Sequence, residues 1–64
     1  MSKHVMLEES VKVLLVDDNM INQEVAVNML KIQGYYVDVV NNGQQALDAL
    51  SENIYQLVLN KFLK

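Results

Sequence analysis

The sequence predicts an α/β domain with a three-stranded parallel sheet in the order 2-1-3, built as strand, helix, strand, helix, strand. Three observations lead there. A short apolar run, Lys12-Val13-Leu14-Leu15-Val16, ends in two adjacent carboxylates, Asp17 and Asp18. Two segments with helical spacing alternate with three β-rich ones. All three β-rich segments are apolar, as expected of strands that need cover on both faces.

Taken in order, residues 1–10 carry no period and read as a polar lead-in; His4, the only histidine, reads there as a plain surface residue. The domain proper is expected over residues 11–64. The first strand ends where Asp17 and Asp18 meet a loop, and Asp18 or Asn19 can cap the helix that follows. That helix is expected from about Met20 to Gln33. Ile21, Val25, Met29 and Ile32 form its apolar stripe, with Ala26 and Leu30 beside it, and Met20 and Met29 read as packing residues. Gly34 is placed to end it in a left-handed conformation. Tyr35 to Val40 reads as the second strand and Asn41-Asn42-Gly43 as a turn in which either Asn can cap. A second helix follows from about Gln44 to Asn53, with Ala46, Leu47, Leu50 and Ile54 on its apolar side. Tyr55 to Leu59, or slightly beyond, forms the third strand.

Helical connections imply parallel strands, and both crossovers are expected to be right-handed. Strand order 2-1-3 then places one helix on each face and a switch point between strands 1 and 3. Order 1-2-3 would put both helices on one face and leave apolar strands bare on the other. In open sheets of this kind ligands bind at the carboxyl edge, where Asp17 and Asp18 stand.

Composition bounds the function. The 64 residues allow one small domain, yet 52% are hydrophobic, so part of the apolar surface is expected to be covered by another chain. There is no Cys to supply a disulfide or a thiolate metal site. The net charge is −3 and every basic residue is Lys, which disfavours nucleic acid as a partner. No apolar run approaches the roughly 20 residues of a membrane span, and the N-terminus is unlike a signal peptide, so a cytoplasmic location is expected. Asp17 and Asp18 repel one another unless a cation lies between them, and Mg²⁺ takes oxygen ligands of this type. The plainer alternative is that Asp18 and Asn19 cap the helix and Asp17 is solvated.

The run Lys12 to Asn19, followed by Asn22-Gln23, Gly34-Tyr35, Val37, Asn42-Gly43, Ala46-Leu47 and Tyr55-Gln56-Leu57-Val58-Leu59, resembles the N-terminal half of a response-regulator receiver domain. The likeness is greatest to receivers attached to hybrid histidine kinases, and it covers residues 11–59. It implies half of a five-stranded flavodoxin-like fold. It also implies that Asp17 and Asp18 occupy the metal-binding acid positions, with Asp18 the more direct Mg²⁺ ligand. In that family the phospho-acceptor aspartate lies two residues after the position of Leu59. Here Lys61 stands at that position, with Asn60 before it. An ammonium neither accepts a phosphoryl group as a carboxylate does nor ligates Mg²⁺, and Lys61 is expected instead to neutralise the acid pair. The expectation is therefore a truncated receiver-like interaction module without enzymatic activity, requiring no cofactor and binding Mg²⁺ weakly at most. Its edge at strand 3 would pair with a second copy, completing the sheet as a homodimer. A histidine kinase, a phosphotransfer domain or another receiver are the further partners implied. The alternatives are a split receiver completed by another chain, or a fragment with no role of its own.

Overall fold

A computed structural model describes residues 11–60. The lead-in with His4, and Lys61 with the residues after it, lie outside the described residues. The elements are β1 (Lys12–Val16), α1 (Met20–Ile32), β2 (Tyr36–Val40), α2 (Gly43–Glu52) and β3 (Leu57–Asn60). They form one parallel sheet in the order β2-β1-β3, as the crossover argument predicts. Val13 faces Val37 on one side and Leu57 on the other, and Val16 faces Val40 and Asn60.

β1 is central in the sheet, paired with β2 on one side and β3 on the other, and holds most of the buried core. Val13, Leu14, Leu15 and Val16 are all buried, Leu14 completely. Side chains alternate along a strand. Leu14 and Val16 pack with Ala46 of α2, joined by Val40, Ala49 and Tyr55. Val13 and Leu15 point to the opposite face, which α1 covers alongside β2. Burying four such side chains stabilises the fold by roughly 1.5–3 kcal/mol each.

The helix ends follow local chemistry. Asn19, not Asp18, caps α1, accepting from the Asn22 N–H at 3.0 Å. At the other end Gly34 has φ +93°. The Gly34 N–H donates to the Lys31 carbonyl (2.9 Å) and the Tyr35 N–H to the Leu30 carbonyl (3.1 Å). This is the paired closure that a left-handed residue after a helix permits. Asn42 caps α2 through the Gln45 N–H at 2.9 Å, so α2 starts at Gly43, one residue earlier than expected. β3 begins at Leu57 rather than Tyr55 and reaches Asn60.

Two expectations about helix faces are corrected. The stripe Ile21, Val25, Met29 and Ile32 does not face the sheet; Ile21 is 71% and Ile32 85% exposed. The sheet-facing side of α1 is instead Gln23, Ala26, Val27 and Leu30, all half-buried. The helix is apolar on two flanks, and only one can meet the sheet. The flank with Ala26, Val27 and Leu30 does so. Met20 and Met29 are likewise exposed rather than packed. In α2, Ala46 and Ala49 make the contact, while Leu47 and Leu50, and Ile54 beyond the helix end, stay exposed.

Candidate functional site

The carboxyl edge of the sheet brings together the β1–α1 turn and the β2–α2 turn. Asp17 directly follows β1, and its N–H extends the ladder by donating to the Val40 carbonyl at 3.1 Å. The residue as a whole is only 7% exposed. The Asp17 Oδ1 accepts from the Asn19 N–H at 2.9 Å, which shapes the turn into α1. Asp18 is exposed beside it. Because Asn19 does the capping, the helix start does not account for Asp18.

Gln23, whose sequence position does not mark it as a site residue, holds the two turns together. Its Nε2 donates to the Asp17 carbonyl and to Asn41 Oδ1 at 2.7 Å. Asn41 is held in turn, its N–H donating to Gln45 Oε1 at 2.7 Å. The available signal was a polar residue in phase with Ala26, Val27 and Leu30 on the covered flank of α1.

Asp17 and Asp18 offer oxygen donors of the kind Mg²⁺ takes, and Mg²⁺ that keeps several waters needs only one or two protein carboxylates. Among the described residues no group of three or more His, Cys, Asp or Glu is gathered to hold a metal more fully. Asn60, the residue before the expected acceptor position, lies in β3 level with Val16. Lys61, expected to neutralise the pair, lies outside the described residues.

A second polar cluster lies at the opposite end of the sheet. The Tyr55 hydroxyl donates to Asp38 Oδ2 at 2.5 Å. Lys12 Nζ sits 5.2 Å from the Tyr55 ring centroid and 5.6 Å from that of Tyr36. The Asp38 hydrogen bond above all, then burial and neighbouring charge, pushes the Tyr55 hydroxyl up to about 12. The cluster fastens the approach to β3 onto β2 and β1. Alongside α1 an open groove of about 560 Å³ is lined by Met20, Ile21, Gln23, Val27 and Val39, among others. Among the described residues no helix is long and apolar enough to cross a membrane.

No family model matches the chain, and no solved structure matches it significantly. Curated relatives do. It is 48% identical over 48 residues to Histidine kinase 5 of Arabidopsis thaliana, covering 75% of this chain and 5% of that protein. It is 38% identical over 52 residues to Hybrid signal transduction histidine kinase B of Dictyostelium discoideum, covering 81% of this chain and 3% of that protein. With the Transcriptional regulatory protein CpxR homolog of Haemophilus influenzae it shares 44% identity over 48 residues, 75% of this chain and 21% of that protein. The chain thus spans a small part of each relative. These relatives are hybrid histidine kinases and response regulators of two-component signalling, and the 2-1-3 parallel sheet with an acid pair at its carboxyl edge is consistent with a receiver-domain fragment.

Proposed function

We propose that the chain acts as a receiver-like interaction module in two-component phosphorelay signalling, without enzymatic activity and without being phosphorylated. The observation that carries this reading is the residue after Asn60: Lys61 stands where the family places its acceptor carboxylate. Phosphoryl transfer to a receiver needs that carboxylate together with charge neutralisation from several sides; the acid pair alone supplies a weak Mg²⁺ site at Asp17 and Asp18. The partners proposed are a second copy of the chain, joined through the β3 edge, and a histidine kinase, phosphotransfer domain or receiver, in the cytoplasm. Leu57 and Val58 are exposed on β3, and an apolar strand edge is a template for pairing.

Incubation with acetyl phosphate and Mg²⁺, followed by intact-mass measurement, tests the first part. No phosphoryl adduct is expected, and an added phosphoryl group would overturn it. Light scattering tests the second: a particle of twice 7.3 kDa is expected, and a monodisperse monomer would count against self-pairing. The exposed stripe of α1 favours one further reading, a receiver completed by another chain, because such a chain would have apolar surface there to cover.

A further inference from the structure

We infer that the outward stripe of α1 is a contact surface for a second copy of this chain, the two helices lying antiparallel across a two-fold axis. An α-helix turns by about 100° per residue. Ile21, Val25 and Ile32 therefore lie about half a turn away from Ala26, Val27 and Leu30, the flank on the sheet. Val25 is 54% exposed, and so is Met29, at the border of the stripe, to 59%. The charges beside the stripe identify its occupant. Glu24 and Lys31 are both exposed and, seven residues apart, lie along the same side of it. A two-fold axis makes every contact reciprocal. Setting Ile21 opposite Ile32 of the second copy also sets Val25 opposite its Asn28 and Glu24 beside its Lys31. Each apolar contact and each ion pair then occurs twice, and flanking charges of this kind set helix orientation. A parallel pairing would put Glu24 beside Met29 of the second copy and carry Lys31 past the end of α1 at Ile32. The charges therefore select the antiparallel arrangement. One 13-residue helix on another buries less than the roughly 1,200 Å² at which standard interfaces begin. Asn28 also interrupts the stripe, so the contact is weak and concentration-dependent. It does not rest on pairing through β3, which uses a different part of the molecule.

Sedimentation equilibrium on the intact chain tests this, with circular dichroism confirming that each variant is folded. Glu24→Lys and Lys31→Glu each bring like charges together at two places. Each should weaken association by roughly 10-fold, an effect that added salt diminishes. The two substitutions change the net charge in opposite directions, so general repulsion would not weaken both. Carrying both on one chain, or mixing the two single variants in equal amounts, restores opposite charges at every pair and should restore association. Ile21→Gln alters a side chain already in solvent and should weaken association with the helix content unchanged; it decides the matter if a charge variant does not fold. Wild-type association in both single charge variants, or in Ile21→Gln, would overturn the inference and leave self-pairing to the β3 edge. A loss that neither the double variant nor the mixture repairs would overturn it as well. A wild-type chain that stays monomeric would overturn it together with the β3 pairing, leaving the stripe to a partner of another sequence.

Discussion

Tyr55 offers a quantitative handle on how β3 is held. Its hydroxyl is the one side-chain bond described between the approach to β3 and β2, at 2.5 Å from Asp38. Hydrogen bonds to charged groups contribute roughly 1.5–3 kcal/mol; both partners are only half-buried, so the lower end applies. Tyr55→Phe keeps the ring under Lys12 and deletes only the hydroxyl, and should cost about 1.5 kcal/mol in urea unfolding at neutral pH. The same bond carries a pH signature. The folded hydroxyl titrates at about 12, against 10.0 for an ordinary tyrosine. Between those values the folded chain holds a proton that the unfolded chain has released, so stability falls as pH rises. The contribution is complete below about pH 10 and is lost as pH climbs through about 12. Phenolate absorbance of the wild type minus that of Tyr55→Phe isolates this group from Tyr35 and Tyr36. A difference titration centred near 10, with equal urea midpoints, would refute the reasoning.

Other outcomes follow from the packing. Leu14→Ala should cost about 2–5 kcal/mol, much of the roughly 3–10 kcal/mol expected for a domain of this size, and leave the chain largely unfolded by circular dichroism. Met29→Ser, on the exposed flank of α1, should change urea stability by no more than about 0.5 kcal/mol; a loss as large as that at Leu14 would mean the flank is buried. Gly34→Ala meets no atom within 4 Å, so only its left-handed backbone is strained, and a loss of about 1 kcal/mol in the same assay is expected. Asn42→Ala removes the α2 cap and should cost about 1 kcal/mol, which Asn42→Ser restores.

The order of elements, the parallel 2-1-3 sheet and the place of Asp17 and Asp18 were all legible in the sequence. They follow from local signals, namely the apolar run of β1, the capping Asn residues and Gly34, combined with the handedness of crossovers. Tertiary structure decided what local spacing leaves degenerate. Ile21, Val25, Met29 and Ile32 form as good an apolar stripe as Ala26, Val27 and Leu30, so periodicity pointed to a flank that the sheet does not cover. The packing of α1 against β2 covered the flank with Ala26, Val27 and Leu30. Gln23 to Asn41 and Tyr55 to Asp38 join residues 18 and 17 apart in the chain. Such bonds exist only once the sheet has set its register, because only then do the two turns at one edge, and the two tyrosines and Lys12 at the other, come within reach.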